Sequence, residues 1–326
     1  MKKFNRFGAL AQLVEQWPFK PFVTGSNPVR PSLVLFILLT VLSLNTQIAI
    51  AENTLLNIKS ENNILLSGNL LSDQKNESVF LILHGTRGYK DMEIITSLAE
   101  RIYEEGHDTL RINLSYGINN REDTFLSCDI KHQHNEYESI SEIITWYNYL
   151  LSKGYKEINF IGHSRGAFNI VQSLALLEKK NRITSYLLAP VIDTYEGTKA
   201  YYENELNIPY DTIINNNEKY FISDKYSLIN FLFCQDAIVS SETFRSYLDF
   251  SKKVDKYPYT FGILDLLDDI ESQTTIISGT NDEILLDSYK NFNSIEKSNI
   301  KFVTIEDGDH FFRDIYLDEV IEIILE

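Results

Sequence analysis

The stretch Ile158-Asn159-Phe160-Ile161-Gly162-His163-Ser164-Arg165-Gly166-Ala167 constrains this chain more than any other. An apolar run suited to a buried parallel strand leads directly into Gly-His-Ser-Arg-Gly, and Ala167 to Lys180 carries an apolar face at helical spacing. A serine between two glycines, at a turn from strand to helix, is the pattern of a nucleophile elbow. Such a turn must be tight and strained for the hydroxyl to stand clear of the backbone. Glycines at 162 and 166 leave no β-carbon to collide with the strand and helix beside it. The helix start then aims unpaired N–H groups and the positive end of its dipole at the space above Ser164. Two glycines around a serine occur in many loops. The flanking strand and helix are what separate this one from them.

The chain around the elbow alternates strands with helices. Thr54 to Leu71 shows short apolar bursts broken at Gly68, as in an antiparallel edge hairpin. Ser78 to Leu83 is a continuous apolar run closed by His84-Gly85, and the spacing predicts a helix from about Met92 to Glu105. A strand over Thr109 to Tyr116 and a helix over Glu136 to Ser152 precede the elbow. Further strands follow at 185–189, 274–279 and 299–305, with a closing helix from about Phe311 to Leu325. This alternation predicts an α/β fold with a mostly parallel sheet covered by helices on both faces. It breaks between about 191 and 271, a tyrosine- and phenylalanine-rich segment too long for a loop. We read that segment as an inserted helical lid over the C-terminal edge of the sheet, where open α/β folds bind ligands.

Residues 1–51 stand apart from this core. A charge-free apolar run from Leu33 onward follows a basic flank and closes with Ala49-Ile50-Ala51, the marks of an export signal cleaved after Ala51. The alternative is an uncleaved anchor formed by residues 33–50, since the run nearly reaches spanning length. Residues 1–31 resemble the conceptual translation of a bacterial transfer-RNA gene, which would place the true start close to the apolar run. The expected mature domain is therefore 52–326, in the periplasm or outside the cell. The whole chain has a net charge of −16 and the leader carries five basic residues against one acid, so the mature part stands at −20. Such a surface disfavours nucleic acid and anionic lipid as partners, and no stable membrane partner is expected after signal cleavage. Cys128 and Cys234 are the two cysteines and could pair in an oxidising compartment.

A serine nucleophile needs a base, and the base needs an orienting acid. Of the six histidines, His310 follows the last strand in Asp307-Gly308-Asp309-His310-Phe311-Phe312, the topological place for the base when the order is Ser, acid, His. Asp282, after Gly279-Thr280-Asn281 at the end of the preceding strand, is the expected acid. Glu283 and Asp287 lie close to it, and Asp193 is the alternative. The oxyanion hole needs two backbone N–H groups, expected from Thr86 in the loop 84–88 and from Arg165 after the nucleophile. Arg87 and Arg165 could reach an anionic substrate group, although such arginines more often pair with a local carboxylate. Cys128-x-x-x-His132-x-His134 offers three metal ligands without an obvious fourth, so no metal is expected there.

Taken together, His84-Gly85, Gly162-His163-Ser164-Arg165-Gly166, Gly279-Thr280-Asn281-Asp282 and Gly308-Asp309-His310-Phe311-Phe312 resemble the α/β-hydrolase superfamily. The stretch from Asn113 to Cys128 is similar to an uncharacterised bacterial subgroup of it. The resemblance implies a serine hydrolase without cofactor, working on a small-molecule acyl substrate through an acyl-enzyme. An ester is the expected bond. A peptidase of the same fold, or a binding protein that kept the fold without the chemistry, are the rival readings.

Overall fold

The computed structural model describes residues 52–73, 76–177, 182–192, 195–210, 212, 226–248 and 262–326. The leader, Asp193 and parts of the inserted segment lie outside them. β1 (Glu52–Lys59) and β2 (Leu65–Ser72) form the expected antiparallel hairpin. β3 (Ser78–Leu83), β4 (Asp108–Ile112), β6 (Glu157–His163), β7 (Arg182–Leu188), β10 (Gln273–Gly279) and β11 (Ile300–Ile305) pair parallel with one another, and β4 pairs antiparallel with β2. With the hairpin they make an eight-stranded sheet ordered β1-β2-β4-β3-β6-β7-β10-β11. β5 (Lys131–His132) lies outside it.

The two-residue period of the strands sorts the core into two layers. Val79, Leu81 and Leu83 of β3 face the side covered by α2 (Glu136–Ser152) and α3 (Arg165–Leu174), packing with Ile143, Trp146 and Ile170. Phe80 and Ile82 face the other side, under α1 (Glu93–Glu104) and α7 (Ile315–Leu325), with Leu98, Ile102, Val320 and Ile324. A central parallel strand buried on both faces must be apolar at every position, which is why β3 reads as an unbroken hydrophobic run. At the start of α2 the Asn135 N–H donates to the Glu138 carboxylate at 3.0 Å, half of a capping box that fixes where this helix begins.

Three elements are shorter than their sequence patterns. β4 stops at Ile112, because Asn113 turns inward to bond Ser67 and Asp123 and to accept from the Lys90 N–H at 2.6 Å. The helix after the elbow ends at Leu174, six residues before the expected Lys180. α7 begins at Ile315 and not at Phe311: Asp309 accepts from the Arg313 N–H at 3.0 Å and holds the intervening residues in turns.

The segment between β7 and β10 also differs from expectation, for it is not wholly helical. It contains α4 (Tyr195–Leu206), α5 (Ser241–Leu248) and α6 (Ile263–Leu267), and between α4 and α5 an antiparallel pair, β8 (Tyr226–Phe231) and β9 (Cys234–Ser240). β9 pairs in turn with β5, so this pair and the loop after β4 share a three-stranded sheet. A disulfide between Cys128 and Cys234 ties the same two segments together. Alternation in β8 and β9 is weak, and the aromatic content of the segment does not distinguish strand from helix.

Candidate active site

The order of the parallel strands puts the candidate residues on one edge of the sheet. Ser164 follows β6, Asp282 follows β10 and His310 follows β11. Backbone bonds step along the strand ends: the Ser164 N–H donates to Leu188 at 2.8 Å, Ala189 to Ile277 at 2.8 Å, and Thr280 to Ile305 at 3.0 Å. These rungs keep the C-terminal ends of β6, β7, β10 and β11 level, so Asp282 and His310 follow adjacent strands and Ser164 stands on the same edge, one strand (β7) removed from β10.

Ser164 stands at φ 55° and ψ −121°, between β6 and the first residue of α3. A side chain in that left-handed region is strained by roughly 1–3 kcal/mol and persists only where its surroundings enforce it. Here they do. A β-carbon on Gly162 would lie 2.6 Å from the Ala167 amide nitrogen, and one on Gly166 would run into the His84 carbonyl. Neither position can hold a side chain without moving the turn. Gly85 closes in from the loop after β3, its missing β-carbon 3.0 Å from the Ser164 Cβ.

The His310 Nδ1 lies 2.7 Å from the Asp282 Oδ2, and both side chains are 3% exposed. Asp282 Oδ1 accepts the Ile284 and Leu285 amides at 2.9 and 2.7 Å. Burial alone would raise the Asp282 carboxyl, but the bond and charge of His310 and the two amides outweigh it and hold the acid below its usual range. Its neighbours do different work. Glu283 accepts the His310 backbone N–H at 3.0 Å, and Asp287 pairs with Lys290 on the surface. Among the described residues, His310 is the histidine whose ring meets a carboxylate.

The other buried histidines are held neutral. Burial, reinforced by the charge of Arg121, lowers His84 to about 3. Its Nε2 accepts the Leu114 N–H at 3.2 Å while Nδ1 donates to the Gly85 carbonyl at 2.8 Å, so the ring braces the loop beside Ser164. His163 is lowered to about 3 by burial and by His310. His134 falls to about 3, and His132 to about 4, burial being the main cause for each. Cys128 is bonded to Cys234, so it has no thiolate to offer a metal beside these two histidines.

Thr86 lies in the loop that Gly85 packs against Ser164, and Arg165 opens α3 with an N–H from the helix's first turn. The side chain of Arg165 pairs with the buried carboxylate of Glu136 at 2.9 Å and lies over the Tyr247 ring of α5 at 4.7 Å. Glu136 also accepts from Asn169 at 2.9 Å. Arg87 donates from Nε to the Leu126 carbonyl at 2.7 Å, and its N–H bonds the Tyr116 hydroxyl at 3.1 Å. Glu136 and Tyr247 therefore belong to the surroundings of the elbow, and the inserted segment reaches it through α5. No sequence signal marked either residue, because their meeting depends on how α2, α3 and α5 pack.

The sheet order, the strained serine turn and the edge that gathers Ser164, Asp282 and His310 define the α/β-hydrolase fold. No family model matches the sequence, and no curated protein matches it. Solved structures do match the fold. Est1E from Butyrivibrio proteoclasticus aligns with a TM-score of 0.58 at 18% identity, covering 83% of this chain and 95% of that one. The Pyrococcus furiosus esterase Pf2001 aligns with a TM-score of 0.52 at 16% identity, covering 85% and 89%. An esterase domain from Rhodothermus marinus aligns with a TM-score of 0.52 at 10% identity, covering 83% and 95%.

Proposed function

We propose that this chain is an exported serine hydrolase that cleaves an ester or related acyl bond of a small or medium substrate. The observation that carries the reading is the Asp282–His310 pair at 2.7 Å on the sheet edge that also bears the strained Ser164 turn. Asp282 accepts a hydrogen bond from the His310 Nδ1–H, which leaves Nε2 as the basic nitrogen. His310 then removes the Ser164 proton, and the oxygen attacks the acyl carbonyl. The developing oxyanion is met by the backbone N–H groups of Thr86 and Arg165. Protonated His310 returns the proton to the leaving alcohol, and water attacks the acyl-enzyme by the same path in reverse order. The inserted segment serves as the lid, with Tyr247 and Arg165 forming part of its contact with the elbow. The Arg165 guanidinium is paired with Glu136 and the Arg87 Nε with the Leu126 carbonyl, which supports an uncharged substrate over an anionic one.

The esterase names of the three structural neighbours support an ester over a peptide bond. Export is supported by the apolar run closing in Ala49-Ile50-Ala51 and by the Cys128–Cys234 bond, which belongs to an oxidising compartment. Among the described residues no helix is long and apolar enough to cross a membrane.

A fluorophosphonate probe tests the chemistry. It should label the protein at Ser164, and labelling that survives in Ser164→Ala would sink the assignment. A panel of ester, thioester and aminoacyl substrates then separates esterase from peptidase. A hydroxycinnamoyl ester belongs in it, because Est1E has been solved with ferulic acid bound. N-terminal sequencing of protein from cells should find Glu52-Asn53-Thr54, and a retained apolar run would favour the anchor.

A further inference from the structure

His163 has no part in the chemistry described above, yet it is 2% exposed and fastened to the histidine that does. Its Nε2 lies 2.9 Å from the backbone carbonyl oxygen of His310, and the two rings stand 4.9 Å apart at 59°. A carbonyl oxygen can only accept, so the proton of the His163 ring is on Nε2. The buried Nδ1 lone pair then has no hydrogen-bond partner among the described residues. Leaving a buried acceptor unmatched is unfavourable. A phenylalanine would fill similar space with no such penalty, so packing alone does not account for a histidine here.

The bond joins two segments that the sheet does not join directly. His163 is the last residue of β6, held in register opposite Leu188, and the next residue is Ser164. His310 follows β11, two strands beyond β7 in the sheet. On its other side the His310 peptide N–H is taken by Glu283 at 3.0 Å. The His310 backbone is therefore held at its N–H by the loop after β10 and at its carbonyl by the elbow strand, while Asp282 holds its ring.

We propose that His163 is a positioning residue: its Nε2–H bond to the His310 carbonyl sets the distance between Ser164 and the His310 ring. The inference rests on the serine hydrolase reading and deepens it. Reacting groups lose rate steeply when displaced by even an ångström, so losing this tie should slow chemistry more than it weakens binding.

The test compares His163→Phe, which keeps a ring and removes the donor, with His163→Gln, whose amide nitrogen reaches to a similar place. On the full chain, His163→Phe should lower the rate of fluorophosphonate labelling at Ser164 by on the order of tenfold or more. With an activated ester kcat should fall and KM should hold, and His163→Gln should recover most of the loss. Failure of the wild type to label would overturn the hydrolase reading, and this proposal with it. A labelled wild type with an equally fast His163→Phe would overturn the positioning role alone, as would equal losses in both variants. Should His163→Phe not fold, nitrogen NMR of histidine-labelled wild type decides: a proton on His163 Nε2 is expected, and a proton on Nδ1 overturns the proposal.

Discussion

The Nδ1 of His310 and the Oδ2 of Asp282 stand 2.7 Å apart at the ends of two adjacent strands, closed to solvent. The second oxygen of Asp282 is occupied by two backbone amides, so the carboxylate cannot rotate away from the ring. The bond therefore holds both the tautomer and the orientation of His310.

Replacing Asp282 with Asn keeps the shape and removes the charge. The amide would donate toward Nδ1 and favour the wrong tautomer. Turnover of an activated ester should fall by about four orders of magnitude, with circular dichroism unchanged. Asp193→Asn should keep most of the rate. The reverse result would move the acid to the loop after β7.

Glu136 is buried, and Arg165 supplies the cation beside it at 2.9 Å. Arg165→Leu would leave that carboxylate without this cation and should reduce stability by roughly 3–5 kcal/mol in urea unfolding. Adding Glu136→Gln should restore much of the loss, because no charge then remains to be compensated. Simple additivity of the two changes would argue against a coupled pair.

The Cys128–Cys234 bond spans 106 residues and links the loop after β4 to β9. Opening a native bond of this kind removes about 2–5 kcal/mol. A thermal melt with and without reductant should show a clear fall in Tm. A Cys128→Ser, Cys234→Ser double variant should melt with the reduced protein and ignore reductant.

Glu142 is buried against Ser115, whose hydroxyl and N–H both bond it. Burial is the main cause of its rise from 4.5 to about 7, and the Ser115 bonds only partly oppose it. The folded protein thus holds this proton where the unfolded chain has lost it. Stability from this group is greatest below about pH 4.5 and declines as pH rises toward about 7, at up to roughly 1.4 kcal/mol per pH unit. Glu142→Gln should flatten that slope in denaturant melts taken between the two values. An unchanged slope would show that the carboxyl is already ionised in the fold.

Much of this structure is legible in the sequence because it is written in local periods. The double-sided burial of β3 appears as five successive apolar residues, Val79 to Leu83, and α2 is bounded by its own cap at Asn135. The elbow is legible for the same reason. Gly162 and Gly166 are required by contacts within a few residues or with the strand next door. Ser164, Asp282 and His310 can be nominated from their places just after β6, β10 and β11.

Other features depend on which strands become neighbours, and no local period encodes that. Asp282 and Glu283 are adjacent acids, and only the packed loops send one to the His310 ring and the other to its N–H. The pairing of Arg165 with Glu136 needs α2 laid against α3. The β8–β9 pair within the inserted segment finds its third strand in β5, about a hundred residues earlier, and the disulfide closes the same gap. The tie from His163 to His310 spans 147 residues and follows from the strand order alone. Hydrophobic spacing sets which face of an element is buried, whereas directional bonds between distant side chains form only after the sheet has set its order and register.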